Sequence, residues 1–303
     1  MASLQHQRAQ TRFREVRGRR ETVVAAPHHD HVVSLPHPKP SVLEFERPFK
    51  LYTGRPAGGK STVTIGTAFH PRESRLNQKL AWTDWWGFSA ASTYADSSDI
   101  EYNAVRESVG AIDVSPLFKY LISGPDASRL IDRVITRDAT KLQVDQVYYT
   151  PWCDEGGKVL DDGTICRLDD TTYRWTAAEP NHRWITMNAT GLDVTVEDVS
   201  FEIAALALQG PKSRTVLEIA TGADWSDLKY FRRRMTTIGG IAVDVTRTGY
   251  TGDLGYELWV PKEHAVPLWD AIFAAGEGFG IRPVGQDALD VLRVEAGLIL
   301  LDA

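Results

Sequence analysis

A glycine-rich segment near the end of the chain constrains the fold more than any other feature. Residues 247–257 read Arg-Thr-Gly-Tyr-Thr-Gly-Asp-Leu-Gly-Tyr-Glu. Runs with β character at residues 243–246 and 258–260 flank it, which predicts two short strands around a tight loop that depends on glycine. Because glycine has no Cβ, a ligand can approach the main chain closely there, and Tyr250 and Glu257 lie in or beside the loop. The segment alone fits two interpretations, a ligand-binding loop or an ordinary hairpin with polar side chains.

Composition excludes several classes of protein. The chain has 303 residues and a formal net charge of -6, whereas nucleic-acid-binding modules are usually basic. No run approaches the roughly 18 apolar residues needed to cross a bilayer. The two cysteines, Cys153 and Cys166, are too few for a disulfide scaffold and are spaced unlike zinc ligands. We therefore expect a globular cytoplasmic protein that binds no metal and has neither a nucleic-acid nor a membrane partner.

Residues 1–66 differ from the rest of the chain, because they are rich in Arg, His and Pro and poor in periodic apolar residues. This composition predicts a disordered, basic and proline-rich extension, followed by a folded region at residues 67–303. An organellar transit peptide is the alternative, but Glu15, Glu21 and the lack of an amphipathic helix weigh against it. We expect either an extension without a function or a translation start that is assigned too far upstream.

Two motifs in the extension look like ligand sites but lack the structure that such sites need. The run His28-His-Asp-His31 offers metal ligands, yet neighbouring residues in a flexible tail rarely preform a site. Residues 54–61, Gly-Arg-Pro-Ala-Gly-Gly-Lys-Ser, match the phosphate-binding P-loop pattern. A β-like run follows them in place of the helix whose amides would face the phosphates, so we predict no nucleotide site.

Strands and helices alternate in hairpin-helix units along residues 67–303. The pattern predicts strands at residues 111–115, 118–123, 147–150, 173–177, 194–199 and 203–208. It predicts helices at residues 98–107, 127–135, 181–188, 212–219, 263–275 and 287–296, the second of them capped by Asp126. Because the pattern is not a strict βαβ alternation, we predict an α+β fold of antiparallel sheets with packed helices, in two subdomains.

A pair of carboxylates ends the second strand of a predicted hairpin. Residues 147–163 contain two β-like runs joined by a turn at Gly156 and Gly157, and Asp161 and Asp162 close the second run. Adjacent residues of a strand point to opposite faces of the sheet, so only one of the two carboxylates can face a given pocket. The other interpretation is that both carboxylates cap a turn.

Six segments of the chain occur together in an order that is typical of one family. They are residues 101–106 (Glu-Tyr-Asn-Ala-Val-Arg), 110–115 (Gly-Ala-Ile-Asp-Val-Ser), 156–162 (Gly-Gly-Lys-Val-Leu-Asp-Asp), 208–211 (Leu-Gln-Gly-Pro), 248–257 and 292–297 (Leu-Arg-Val-Glu-Ala-Gly). In this order they resemble the aminomethyltransferase (glycine cleavage T-protein) family. The resemblance implies a T-protein-like α+β fold that binds tetrahydrofolate and transfers one-carbon units.

The resemblance also implies which residues act. Asp161 matches the family's carboxylate near the reactive folate nitrogen and would be the main catalytic residue. Tyr250 and Glu257 match positions of the folate pocket, and Tyr149 or its neighbour Tyr148 matches a tyrosine that lines the same cavity. An anion beside the folate amines can orient the cofactor, stabilise developing positive charge or relay a proton. Glu257 can accept charge-assisted hydrogen bonds from the pterin edge, and the aromatic rings can stack on it.

Three departures from the family's pattern bear on the substrate. Leu289 stands where an arginine associated with the folate site is common, and Ala178 stands where many members carry asparagine. Residues 151–153, Pro-Trp-Cys, replace the usual aliphatic sequence. Leu289 and Ala178 bear on folate affinity or on the type of substrate. Residues 151–153 favour a pocket shaped for something other than an aminomethyl group carried on a lipoyl arm.

Three functions remain open. The first is a tetrahydrofolate-dependent methyl- or aminomethyltransferase whose one-carbon donor is a small molecule or a lipoyl carrier protein. The second is a folate-dependent demethylase of a small methylated acid. The third is a folate- or partner-binding module without turnover, which Leu289 and the expected lack of the family's C-terminal β-rich domain favour. We expect that lack because the apolar run at residues 298–301 ends the sequence with nothing to cover it.

Overall fold

The computed structural model describes residues 64–300, all within one compact unit. Most of the predicted N-terminal extension, with the motifs at residues 28–31 and 54–61, lies outside the described residues, and so do residues 301–303. The last two residues of that predicted extension, Ile65–Gly66, form a short strand. The folded region therefore includes them.

Fourteen strands and seven α-helices occur among the described residues. The strands are β1 (Ile65–Gly66), β2 (Ala81–Trp85), β3 (Phe88–Thr93), β4 (Gly110–Asp113), β5 (Phe118–Ser123), β6 (Val147–Cys153), β7 (Val159–Arg167), β8 (Thr172–Ala177), β9 (Thr195–Asp198), β10 (Ile203–Gln209), β11 (Arg233–Ile238), β12 (Ile241–Thr246), β13 (Gly255–Pro261) and β14 (Arg282–Pro283). The helices are α1 (His70–Leu76), α2 (Ser98–Glu107), α3 (Ala127–Val134), α4 (His182–Asn188), α5 (Ser213–Thr221), α6 (Ala265–Gly276) and α7 (Gln286–Glu295).

The strands form three sheets. The small sheet has the order β1-β3-β2, the six-stranded sheet has the order β11-β12-β13-β10-β4-β14, and the five-stranded sheet has the order β6-β7-β8-β5-β9. Within residues 64–300 only two strand pairs, β1 with β3 and β4 with β14, are parallel. The predicted α+β fold of antiparallel sheets with packed helices is confirmed.

Every predicted strand and helix is present, with ends that differ by a few residues. The predicted cap of α3 is the exception, because the Asp126 carboxylate makes no capping hydrogen bond. Its Oδ2 accepts a hydrogen bond from the amide of Asp193 at 2.9 Å, and its Oδ1 pairs with Nη1 of Arg129 at 2.8 Å. A short acidic side chain bonds whichever nearby donor the chain presents, and here a segment distant in sequence supplies one.

Alternation along the strands gives the six-stranded sheet two different faces. On one face Leu206 and Leu258 belong to a core that includes Leu217 of α5 and Leu268 of α6. On the opposite face Trp259 packs with residues of α7. That second face is the one that contributes to the candidate site.

The five-stranded sheet also has one face covered by helices and one that meets the other sheet. Ile165 and Trp175 pack in a core with Leu130 of α3 and Ile185 of α4. On the opposite face Arg174 of β8 reaches β12 and β13, where Nη1 lies 2.6 Å from Oδ2 of Asp244 and the guanidinium lies 4.2 Å from the Trp259 ring. The two large sheets therefore face each other. None of the helices in residues 64–300 is long and apolar enough to span a membrane.

Candidate functional site

The candidate site is the region between the facing sides of the two large sheets, here called the cleft. Tyr149 on β6 lies directly opposite Thr164 on β7, and Asp162 lies two residues before Thr164. Residues opposite each other in an antiparallel pair share a face, as do residues two apart along a strand. Cys166, two residues beyond Thr164, lies opposite Arg174. Tyr149 and Asp162 are therefore on the same face as Arg174, which is the face toward the six-stranded sheet.

Asp162 and Tyr149 form a hydrogen-bonded pair in this cleft. Asp162 is 8% exposed, and the Tyr149 hydroxyl donates a hydrogen bond to its carboxylate. Burial raises the pKa of Asp162 above its ordinary value, and this hydrogen bond opposes the shift. Burial and the bond to Asp162 raise the pKa of Tyr149, so the phenol stays protonated and keeps donating. The pair presents a carboxylate whose orientation is held by a phenol.

Asp161 points the other way, into the core of the five-stranded sheet. It lies opposite Trp152, which is fully buried in that core, and its own side chain has 0% exposure. Its carboxylate accepts hydrogen bonds from the Asp162 amide at 2.8 Å, the Glu179 amide at 3.0 Å and Asn181 Nδ2 at 2.6 Å. Burial raises the pKa of Asp161 to about 6, and these donors oppose the shift.

Asn181 connects Asp161 to the surrounding core. Its Oδ1 accepts a hydrogen bond from Nε1 of Trp152 at 2.9 Å, and its backbone amide donates to the Tyr120 hydroxyl at 2.8 Å. Asp161 thereby joins β7 to the turn that precedes α4. The catalytic role predicted for Asp161 stays a prediction, and Asp162 competes for that role because its carboxylate lies on the cleft side of the strand.

Tyr250 extends from the glycine-rich loop toward the same carboxylates. Its ring packs against a cluster that includes Trp259 and Leu289, and its hydroxyl donates a hydrogen bond to the Ile299 carbonyl. Burial raises the pKa of Tyr250 to about 12, and the negative charge of Asp162 adds to the shift. The structure therefore brings Tyr149, Asp162 and Tyr250 together, although they come from three separate segments.

Glu257 places a second carboxylate in the cleft, on the same face of β13 as Trp259. Its Oε2 accepts hydrogen bonds from Oγ1 of Thr248 at 2.6 Å and from Oγ1 of Thr246 at 3.4 Å. Burial raises the pKa of Glu257, and the Thr248 bond and the charge of Arg174 oppose the shift. No hydrogen bond to Oε1 is found among residues 64–300, so that oxygen can accept a bond from a ligand.

Two glycines of the loop make room for a side chain of the protein itself. A Cβ on Gly249 or Gly255 would lie 2.1 Å or 2.2 Å from Oε1 of Gln209, which is fully buried. The same oxygen accepts a hydrogen bond from Oγ1 of Thr251 at 2.9 Å. At these two positions the close approach is made by an amide side chain of the protein, not by a ligand. This packing explains why the Leu-Gln-Gly-Pro segment and the glycine-rich segment occur together.

Arg106 of α2 ties the glycine-rich loop to the last helix. Its guanidinium pairs with Asp253, donates to the Thr251 carbonyl at 2.8 Å and pairs with Oε2 of Glu295 at 2.7 Å. Burial lowers and its hydrogen bonds raise the pKa of Arg106, with a net upward shift, so it stays charged. Arg106 therefore holds three of the resembling segments in one arrangement around the cleft.

Glu101 performs a similar role in the same helix. Its Oε1 accepts from the amides of Tyr94 at 2.6 Å and Ala95 at 2.8 Å, and its Oε2 accepts from the Gly285 amide at 2.7 Å. The contacts fix the entry to α7 relative to β3. Both charged residues of this segment support the cleft without lining it.

Leu289, one of the departures from the family's pattern, lies beside the cleft. Leu289 is 6% exposed and adds an apolar side chain to the cluster around Trp259. Arg293, one turn further along α7, pairs with Asp290 at 3.1 Å, and its charge lowers the pKa of Tyr250. A guanidinium is therefore present near Tyr250 even though position 289 is apolar.

Residues 151–153 divide between the two faces of the hairpin. Trp152 is buried in the helix-covered core, where its ring meets that of Trp175 edge to face at 4.8 Å. Pro151 lies opposite Asp162 and so shares the cleft face. Ala178 is partly exposed just after β8.

Sequence reasoning did not single out Arg174, Asn181 or Lys119. Arg174 and Lys119 could have been found, because each is a charged residue within a predicted strand and could therefore have been expected to need a partner. Asn181 gave no such signal, since it was predicted to start a helix and its bonds depend on the tertiary fold. Within the described part of the chain, no group of three or more His, Cys, Asp or Glu side chains is arranged to hold a metal ion.

Known proteins match this chain in sequence. The sequence model of the family described as the GCVT N-terminal domain matches residues 69–303. An aminomethyltransferase from Caldanaerobacter subterraneus subsp. tengcongensis is 39% identical over 205 residues, which is 66% of this chain and 55% of the relative. A trimethylamine-oxide aldolase from Ruegeria pomeroyi is 38% identical over 249 residues, which is 78% of this chain and 31% of the relative. The chain spans about half the length of the curated aminomethyltransferases that it matches.

A solved structure matches the fold as well. The crystal structure of glycine cleavage system aminomethyltransferase T from Bartonella henselae superposes with a TM-score of 0.70 at 26% sequence identity. The match covers 78% of this chain and 63% of that chain. The T-protein-like fold expected from the sequence is confirmed.

Proposed function

This chain belongs to the family of the GCVT N-terminal domain, and from that membership we propose that it binds tetrahydrofolate in the cleft and takes part in one-carbon transfer. One observation supports the proposal above the others. Tyr149, Asp162 and Tyr250, from three segments of the chain, converge in one partly buried cleft, and Glu257 borders it on β13. A purely structural hairpin would have no need of this convergence.

The chemistry of the cleft fits the proposed cofactor. The pterin ring is flat and has amide and amino donors along one edge, which suits aromatic side chains and a carboxylate oxygen. Glu257 offers such an oxygen, and Thr248 holds the carboxylate in place from the other side. Tyr149 and Tyr250 supply the aromatic rings. The residues present therefore fit a folate, with Leu289 enlarging the apolar part of the wall.

The residues of the chain have separate roles in this proposal. Tetrahydrofolate, when bound, supplies the amine nitrogens that accept the one-carbon unit. Asp162 holds a negative charge beside them, where it orients the amines and stabilises positive charge as it develops. Tyr149 holds Asp162 in position, and Asp161 holds the backbone of Asp162 through its amide. Glu257 and Tyr250 keep the ring system in the cleft.

The one-carbon donor has two candidates. An aminomethyl group on a lipoyl carrier protein is the donor that the T-protein resemblance implies. A small methylated substrate, as a folate-dependent demethylase would use, is favoured by the apolar side chain of Leu289 in the wall and by the match to a trimethylamine-oxide aldolase over 78% of this chain. Transfer from an aminomethyl-lipoyl protein and from free methylated acids, measured side by side, separates the two.

Calorimetric titration with tetrahydrofolate tests the proposal, with the transfer assay run on the same samples. Asp162→Asn should bind within about threefold of the wild type but lose at least about a hundredfold in transfer, since it removes the charge and keeps the shape. Asp161→Asn should instead lower the melting temperature, because it puts an amide against three buried donors. Asp170→Asn, at a side chain that is 94% exposed, is the matched control.

The outcomes are distinct. Normal transfer by Asp162→Asn, with loss of transfer by a fully folded Asp161→Asn, returns the catalytic role to Asp161. Binding without transfer from any donor supports a folate-binding module. No binding of tetrahydrofolate by the wild-type chain contradicts the proposal as a whole.

A further inference from the structure

Lys119 is a buried cation on the cleft side of the five-stranded sheet, and neither the family's motifs nor the proposed chemistry uses it. Its side chain has 0% exposure. Lys119 on β5 lies opposite Thr176 on β8, Thr176 lies opposite Thr164 on β7, and Thr164 lies opposite Tyr149 on β6. Opposite residues share a face, so Lys119 and Tyr149 end the same row of side chains across the sheet.

The Lys119 ammonium binds backbone carbonyls from two segments. Nζ lies 2.7 Å from the Ser115 oxygen, 2.7 Å from the Leu117 oxygen and 3.3 Å from the Ser200 oxygen. An ammonium has three donors and no acceptor, so these three oxygens satisfy it completely. The bonds join the turn between β4 and β5 to the turn that precedes β10.

Ser200 also ties the turn that precedes β10 to the start of β5 and the end of β9. Its Oγ accepts a hydrogen bond from the Lys119 amide at 2.9 Å and donates to Oδ1 of Asp198 at 2.5 Å. Ser115 is held from the other side, because its amide donates to Oδ1 of Asp113 at 2.8 Å. The turn at residues 115–117 therefore has little freedom as long as Lys119 is in place.

Leu117, at the end of this turn, packs against a hydrophobic cluster that extends to the cleft. It packs against the cluster that contains Trp259 and Leu289, and Tyr250 packs against the same cluster. A shift of the turn would therefore change the wall against which Tyr250 rests. The burial of a charge here is costly, since burial lowers the pKa of Lys119 to about 7.

We propose that Lys119 is a positioning residue of the cleft, which fixes the turn at residues 115–117 through three carbonyl bonds and so sets the wall that contacts the bound cofactor. The effect of Lys119 on folate binding rests on the proposed function. The effect of Lys119 on the turn at residues 115–117 is independent of that function. A shift of about 1 Å in such a wall is enough to weaken binding or catalysis by an order of magnitude or more.

The test compares Lys119→Met with Ile122→Ala, a variant of the same strand whose side chain is fully buried on the opposite face. We expect Lys119→Met to raise the Kd for tetrahydrofolate by at least about tenfold while kcat at saturation changes less than about threefold. Ile122→Ala should lower the melting temperature but leave the Kd unchanged. Lys119→Gln, which keeps two donors, should give an intermediate Kd and serves if Lys119→Met does not fold.

Amide hydrogen exchange without ligand separates this proposal from the proposed function. Residues 115–118 and 199–201 should exchange faster in Lys119→Met or Lys119→Gln than in Ile122→Ala, even if the wild-type chain does not bind tetrahydrofolate. Unchanged exchange in both turns overturns the positioning role. A Kd that rises equally in Lys119→Met and Ile122→Ala overturns it too, because that result reflects lost stability alone.

Discussion

Asp161 and Asp162 are adjacent and chemically identical, yet the structure gives them opposite surroundings. The carboxylate of Asp161 is enclosed by protein donors in a core, whereas that of Asp162 has a phenol as its partner and faces the cleft. One residue of offset along a strand is enough to exchange these surroundings, because the side chains alternate between faces. The sequence therefore predicts the motif that contains both carboxylates, but it does not show which of the two faces the cleft.

Glu73 shows how burial of a single carboxylate leads to a pH-dependent stability. The side chain is 2% exposed, and Oε1 accepts a hydrogen bond from the Tyr94 hydroxyl at 2.6 Å. Burial, with the nearby charge of Asp113, raises the pKa of Glu73 from 4.5 to about 8. Between these values the folded protein binds more protons than the unfolded chain, so this group lowers the free energy of unfolding as the pH rises.

Replacing Glu73 by Gln should remove that dependence. We expect Glu73→Gln to gain stability relative to the wild type as the pH rises from about 4.5 to about 8, and to gain little below that range. Chemical denaturation at a series of pH values measures the difference. Glu263→Gln, at an exposed position, is the control. Parallel curves for the wild type and Glu73→Gln would show that Glu73 does not titrate in this window.

At the scale of elements, the glycine-rich loop is shaped by a side chain from another strand. Gln209, at the end of β10, lies against Gly249 and Gly255 and bonds to Thr251. The two strands that flank the loop, β12 and β13, were predicted from the sequence and are found. The pattern of glycines did not reveal that the Gln209 side chain fills the space beside Gly249 and Gly255. Gln209 is about 40 residues away in sequence and is next to the loop only in the sheet.

A methyl group added at Gly255 should therefore collide with Gln209. We expect Gly255→Ala to lower the free energy of unfolding by about 1–3 kcal/mol, the usual cost of overpacking a core, and Gln209→Ala in the same chain to recover part of that loss. Thermal and denaturant unfolding of the single and double variants measure the interaction free energy between positions 255 and 209. Gly278→Ala, where a Cβ would meet nothing within 4 Å, should have little effect. Equal losses for both glycine variants would contradict the packing described here.

At the scale of the whole molecule, charged groups connect the two sheets that form the cleft. Arg174 of the five-stranded sheet and Arg233 of the six-stranded sheet both bind Asp244, at 2.6 Å and 2.8 Å. Arg233 also pairs with Asp145 at 2.6 Å, in the connection that leads into β6. Because Arg174 is nearly fully buried, these bonds replace water and hold the sheets at one separation.

Loss of Arg174 should therefore affect stability and binding together. We expect Arg174→Met to lower the free energy of unfolding by about 2–4 kcal/mol, since Asp244 keeps only one of its two partners in a buried setting. It should also weaken tetrahydrofolate binding, because Arg174 opposes the upward shift in the pKa of Glu257. Arg234→Met is the control, as its partner Asp227 is 70% exposed. If the two variants are equally stable, the network does not hold the sheets together.

The sequence by itself determined the α+β class, the order of strands and helices, the hairpin that carries Asp161 and Asp162, and the family. Each of these depends on local pattern or on motifs in a fixed order, which one chain displays directly. Only the tertiary structure decided that Asp162 faces the cleft, that Gln209 fills the glycine-rich loop, and that Lys119 and Arg174 are buried beside the site. These contacts join residues far apart in sequence, and the register and packing of the two sheets bring them together.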